Sequence, residues 1–215
     1  MLRIGVTGHR PHRLVVSERK LARRVSRVLS GLAGAMSSAG WSGSPLLDIN
    51  SPLAEGTDQI VAREALVQGQ RVTALLPFSR RDYEATFDDK ARIAAFRTLL
   101  KQASERLQLG GRPKQAEAGY VAVGDVTVAR SDLILTIWDG KPAQGRGGTP
   151  EILQNAIGWG VPVIWIDAVR DCKPVLLLAP PGAKRTPDLS RLARRAKPLD
   201  KATYRMLVEA FTRAS

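Results

Sequence analysis

Short apolar runs alternate along this chain with longer stretches whose apolar positions recur at helical spacing. Leu2–Thr7 is an apolar run that breaks into Gly8-His9-Arg10-Pro11, which predicts a buried strand leading into a loop. From Ser17, a capping candidate, Leu21, Val25, Val28, Leu29, Leu32 and Met36 repeat as one face of a helix that Gly40 closes. Leu46–Ile49 predicts a second strand ending in Asn50-Ser51-Pro52. A helix from about Thr57 to Val67 follows, then a third strand, Val72–Leu76, stopped by Pro77. Asp82–Leu107 reads as one long helix with Phe96, Leu99, Leu100 and Ala103 on a shared face, and Gly110-Gly111-Arg112-Pro113 as an exposed loop. Tyr120–Ala129 is ambiguous: its valines favour strand, its place before the next strand favours a short helix. Strands Leu133–Trp138 and Val161–Ile166 flank a helix over Thr149–Trp159. Val175–Ala179 is a candidate sixth strand and Tyr204–Phe211 a closing helix.

Such alternation predicts the α/β class: a doubly wound, mostly parallel, Rossmann-like sheet of about five to six strands with helices on both faces. The pattern decays after Asp171, so the expected organisation is a Rossmann-like domain over 1–170. A basic, proline-punctuated extension over 171–215 packs on it or trails from it. A chain of 215 residues, 44% apolar, suits one such domain. No apolar run approaches the roughly 18–20 residues that span a bilayer. The opening residues show no secretion signal. Cys172 stands alone, which excludes an internal disulfide and predicts a reducing, cytoplasmic setting.

The formal charge of +13 is clustered. Eight cations, Arg3 through Arg27, crowd the first thirty residues against Glu18, and a second block runs from Lys184 to Lys201. The imbalance predicts attraction to anions, nucleic acid included, with a solvated helix face as the alternative. Aromatic residues make up 5% and do not interleave with the basic blocks, so base stacking on them is not expected.

Three loops follow predicted strands and carry the candidate chemistry. In the first, Gly8 permits a tight turn, Thr7 supplies a hydroxyl, Arg10 offers a bidentate fork to phosphate, and His9 is a donor to phosphate or ribose. In the second, Gly56 and Thr57 open a helix, while Glu55 and Asp58 suit ribose hydroxyls or base amines, or cap the helix. In the third, Asp139 ends a strand within reach of a sugar hydroxyl. Arg146, Gly147, Gly148 and Thr149, followed by Pro150, form a phosphate seat at a helix start. A glycine-rich surface turn is the competing reading of that segment. Glu151, one turn inside that helix, points toward a ligand or completes a local cap.

Familiar signatures are missing. No Gly-x-Gly-x-x-Gly follows the first strand, so an ordinary NAD or FAD fingerprint is missing, and the lack of Gly-x4-Gly-Lys-Ser/Thr argues against a P-loop NTPase. Two histidines and one cysteine without metal spacing predict no zinc site, and no cofactor is expected.

Taken together the three loops resemble the SLOG superfamily, which groups the Smf/DprA Rossmann domain with the LOG (lysine decarboxylase-like) nucleotide phosphoribohydrolases. Ile4-Gly5-Val6-Thr7-Gly8-His9-Arg10 looks like the opening strand and loop of several branches. Leu53-Ala54-Glu55-Gly56-Thr57-Asp58 is similar to the loop before the second helix, and Gly145-Arg146-Gly147-Gly148-Thr149-Pro150-Glu151 to the Gly-Gly-x-Gly-Thr-x-x-Glu signature of LOG enzymes. Here Glu151 follows Thr149 by two residues rather than three, and the upstream Met-x-x-Arg-Lys of LOG enzymes has no counterpart. The resemblance covers about residues 2–167 and implies a nucleotide-binding Rossmann-like fold. The expected function is binding of a nucleotide or nucleotide-derived signal, as a sensor. The alternatives are hydrolysis of a nucleoside monophosphate with Glu151 acting on the sugar, and DprA-like nucleic-acid binding. A homo-oligomer is expected because related domains pair.

Overall fold

Apolar runs with no polar face fold as strands buried on both sides. In the computed structural model, which describes residues 1–142, 147–179 and 188–214, every residue of β2 (Leu47–Ser51), β5 (Leu133–Trp138) and β6 (Val163–Asp167) is buried. Strands with such burial belong to a parallel sheet covered by helices on both faces. β1 (Leu2–Gly8), β3 (Arg71–Leu76) and β4 (Glu105–Gln108) complete the parallel part. β7 (Val175–Leu177) and β8 (Lys197–Pro198) extend one edge with antiparallel pairings. Among the described residues the sheet has eight strands in the order β4-β3-β2-β1-β5-β6-β7-β8.

The helices divide between the two faces. α1 (Glu18–Ser38), α2 (Thr57–Val67), α4 (Lys90–Gln102) and α8 (Lys201–Ala214) cover one, packing against one another. α5 (Ala116–Ala129), α6 (Thr149–Gly158) and the short α7 (Leu189–Ala193) cover the other. The period-2 alternation of a strand splits its side chains between two cores. Leu135 and Ile137 of β5 join the core under α1, whereas Ile134 and Trp138 join the core under α6. Ile164 and Ile166 divide from Val163 and Trp165 in the same way. Burying one such side chain contributes about 1.5–3 kcal/mol, so each strand is held from both faces. α8 seats Tyr204 against Gly31, where α1 has no side chain to obstruct it.

The long helix expected over Asp82–Leu107 is three elements instead: α3 (Arg80–Glu84), α4 and β4. A side-chain cap marks the break between α3 and α4, Asp89 accepting from the Ala91 N–H, while Ser79, accepting from the Asp82 N–H, starts α3 ahead of the expected stretch. The interruption between α3 and α4 docks on the first two loops: the Thr86 carbonyl accepts from Arg10, and the Asp88 N–H donates to Glu55. β4 alternates half-buried and exposed residues at the sheet's edge, so its sequence lacks the apolar run that marks the inner strands. Tyr120–Ala129 is helical, within α5. No helix among the described residues is long and apolar enough to cross a membrane.

Candidate functional site

From β1 the chain winds outward through β2, β3 and β4; from β5 it winds the other way through β6. The carboxyl ends of β1 and β5 are therefore the switch point, where crossovers diverge and leave a crevice. A cleft of ≈ 310 Å³ opens there. One wall is Thr7, Gly8, His9 and Arg10, continuing to His12 and Arg13; the opposite wall is Gly147, Gly148, Thr149 and Pro150. Pro52, Ala54 and Asp58 close one end with Tyr83, and α5 supplies Tyr120, Val123, Gly124 and Thr127. The first and third loops predicted from sequence thus meet across one space. Arg146 and Gly145 lie outside the described residues.

The second loop contributes chiefly by stitching. The His9 N–H donates to the Ile137 carbonyl at 3.0 Å, and the His9 carbonyl accepts from the Thr57 N–H at 3.2 Å and from its hydroxyl at 3.1 Å. Gly8 fits because a Cβ there would lie 2.4 Å from Thr57 Oγ1 and 2.7 Å from the Ile137 carbonyl oxygen. Gly56 has φ +87° and ψ −117°, a conformation open to glycine. Gly56 and Thr57 therefore hold the first loop against α2 and do not line the cleft.

The four candidate carboxylates have different fates. Glu55 is buried behind the cleft, with Oε1 accepting from the Asp88 N–H at 3.2 Å and Oε2 3.5 Å from an Arg10 nitrogen. It is not placed to meet a ribose. Asp139 is likewise spent inside: Oδ2 accepts from Arg13 at 2.5 Å, Oδ1 accepts from the Lys141 N–H at 3.0 Å, and His9 Nε2 lies 2.8 Å from Oδ1. Burial alone would raise its pKa, yet His9, the Lys141 amide and Arg13 together hold it at about 2. Burial also pushes the His9 imidazole below its ordinary value, against the pull of Asp139. Asp139 therefore orients His9 and Arg13 rather than reaching a sugar.

Asp58 does line the cleft. Its Oδ2 accepts from the Ala54 N–H at 3.2 Å, and Oδ1 has no partner among the described residues. Burial lifts this carboxyl to about 7, with the Ala54 hydrogen bond and Arg10 opposing. It is thus a carboxyl that carries its proton near neutrality and can donate as well as accept. The Tyr83 phenol beside it is pushed well above its ordinary value by burial, so it stays a neutral donor.

At the third loop Gly148 occupies the cap, and Thr149 and Pro150 begin α6. Gly147, at φ +72°, turns its N–H onto the Glu151 carboxylate, which accepts at 2.5 Å. Glu151 therefore completes the local cap, and its carboxylate does not line the cleft. The Glu151 and Ile152 N–H groups donate back to the Gly148 carbonyl. The N–H groups of Gly148 and Thr149 and the Thr149 hydroxyl take no acceptor among the described residues. These are the orphan donors of a helix start, at the positive end of its dipole.

Arg13, Tyr83, Tyr120 and Thr127 were not anticipated in the cleft. Tyr83 sits in a stretch read as uninterrupted helix, and the Asp88-Asp89 pair is the signal that marks its break. Tyr120 begins a segment whose valines left it between strand and helix.

No family model matches the chain, and no curated protein matches it. Among solved structures the fold is similar to that of DNA processing protein A (DprA) from Streptococcus pneumoniae, with a TM-score of 0.58 and 17% sequence identity. The likeness covers 97% of this chain and 62% of that one, so this chain spans under two thirds of the DprA structure. At that identity the likeness speaks for the fold: a DprA-like, Rossmann-like α/β domain.

Proposed function

We propose that the cleft binds a nucleotide or nucleotide-derived signal, with a phosphate on the start of α6. The observation that carries this reading is the pair of N–H groups, Gly148 and Thr149, that take no acceptor among the described residues and line the same cleft as Arg10. Amide donors aimed at a charged acceptor contribute about 1.5–3 kcal/mol each. Arg10 is held by contacts of 3.3 and 3.5 Å, long enough to be exchanged for a ligand oxygen. The Asp58 carboxyl and the Tyr83 and Tyr120 phenols face the part of a ligand beyond its phosphate, where sugar hydroxyls and base edges need donors and acceptors. Recognition is favoured over hydrolysis because Glu151, the one carboxylate the LOG resemblance offers for chemistry, is bonded to Gly147.

Calorimetry against a panel of nucleotides and ADP-ribose derivatives tests the reading; no binding tighter than millimolar overturns it. Thr149→Asp separates site from scaffold. A carboxylate in the first turn of α6 meets the dipole and the free amides, which offsets its desolvation at this buried position, so thermal stability is expected to stay close to wild type. The same charge repels a phosphate, so affinity is expected to fall at least tenfold. An unchanged affinity would place the phosphate elsewhere.

A second reading has its own observation. Arg19, Arg23 and Arg27 are exposed at successive turns of α1, and no carboxylate pairs with them among the described residues. α8, packed beside α1, adds exposed Lys201, Arg205 and Arg213. This face suits a nucleic-acid backbone, and the similar structure is by name a DNA processing protein. Replacing Arg19, Arg23 and Arg27 together by Glu is expected to remove DNA retention and flatten its salt dependence. Unaltered retention would exclude this face.

A further inference from the structure

Past His12 and Arg13 the crevice does not end. A second cavity of ≈ 330 Å³ abuts the first, and both are lined by these two residues. Its remaining walls are Val15, Asp139, Lys141 and Val169. Val15 and Val169 are 71% and 41% exposed, so they present apolar surface that the fold itself does not cover. Lys141 is exposed as well. Asp139 brings little repulsion, because Arg13 and the Lys141 amide already bond to its carboxylate. Arg13 uses one terminal nitrogen on Asp139, its other guanidinium donors take no acceptor among the described residues, and it lines both cavities.

We infer that the two cavities form one bipartite site for a dinucleotide: two nucleoside halves joined through phosphate. The inference rests on the proposed reading of the first cleft. A ridge of side-chain donors, Arg13 and His12, between two cavities of nearly equal volume matches the order nucleoside, phosphate, nucleoside. One half occupies the first cleft between Thr149 and Asp58. The linking phosphate crosses the ridge, where the Arg13 guanidinium and His12 meet its oxygens. The second base lies against Val15 and Val169, covering apolar surface that water now contacts, with Lys141 beside it. Each cavity alone is near the lower limit of ligand pockets, roughly 300 Å³; a ligand filling both buries more of itself.

The test is calorimetry with nucleoside 5′-monophosphates, the matching 5′-phosphorylated phosphodiester dinucleotides, and a pyrophosphate-linked dinucleotide. Wild type is expected to bind at least one class of dinucleotide tenfold or more tighter than its monophosphate; the class that gains identifies the linkage. Val169→Glu and Val15→Glu, both exposed and both outside the first cleft, are expected to erase that gain while monophosphate affinity stays within twofold. Equal affinity for monophosphate and dinucleotides in wild type overturns the second subsite and leaves the first intact. An undiminished gain in both variants also overturns it. Failure of every nucleotide to bind overturns the reading of the first cleft itself.

Discussion

Replacing Gly56 by Ala is expected to destabilise the protein by about 3 kcal/mol or more, which for a chain of this size lowers Tm by about 10 °C. Two costs add. At φ +87° and ψ −117° an L side chain is strained before it touches anything. A Cβ there would also lie 2.6 Å from the His9 carbonyl oxygen and 3.1 Å from backbone atoms of Arg10. That carbonyl accepts both hydrogen bonds from Thr57, so it cannot retreat without releasing the first loop from the start of α2. Arg10 would move with it, and nucleotide affinity is expected to fall alongside stability. Gly69→Ala is the control: its φ is +68°, but nothing lies within 4 Å of the added methyl, so about 1 kcal/mol is expected. Thermal unfolding of the two variants compares strain with strain plus contact. Equal losses would show that the loops are not held by this approach.

What the amino-acid pattern reveals about this fold follows the burial of each element. β5 and β6 are buried along their whole length, and such strands must be apolar at consecutive positions, so they are plain in the sequence. β4 pairs on one edge and exposes every second residue, so Glu105-Arg106-Leu107-Gln108 does not stand out from the helix before it. The same division runs through the site. Gly8, Gly56 and Gly147 are readable because backbone that must turn or approach closely needs glycine. Whether a carboxylate faces a ligand or a neighbour is set by residues far along the chain. Asp139 is turned inward by Arg13, 126 positions away, and Glu55 by the Asp88 amide, 33 away. No local spacing carries that information. Asp58 and Glu55, three residues apart, end in opposite roles because the distant Asp88 amide takes Glu55, whereas Asp58, in the first turn of α2, bonds the nearby Ala54 N–H and lines the cleft.

Asp58→Asn is expected to stabilise the protein above neutrality and to leave it little changed below about pH 4. The folded carboxyl keeps its proton up to about pH 7, whereas an ordinary one releases it near 3.8. Between those values the folded state binds more protons than the unfolded state, so wild-type stability falls as pH rises through this window and levels off above about 7. A displacement of that size corresponds to about 4 kcal/mol when complete. The asparagine oxygen can still accept from the Ala54 N–H, and the variant has no charge to bury at any pH. His9 and Asp139 contribute with the opposite sign. Both have lowered pKa values, so each adds stability as pH rises, His9 through its own lowered range and Asp139 between about 2 and 3.8. Both are present in wild type and variant alike, and the difference between their Tm curves from pH 4 to pH 8.5 isolates Asp58. That difference is expected to open between pH 4 and 7 and reach about 10 °C. Parallel curves would mean that the carboxyl ionises freely and is wetter than its burial implies. In the cleft the same substitution removes an anion from beside Arg10, so a phosphate-bearing ligand should bind the variant several-fold more tightly at pH 8 and equally at pH 5. If affinity at pH 8 instead collapses, Asp58 binds as a carboxylate, accepting hydrogen bonds from the ligand, and its charge is the price of recognition rather than an obstacle to it.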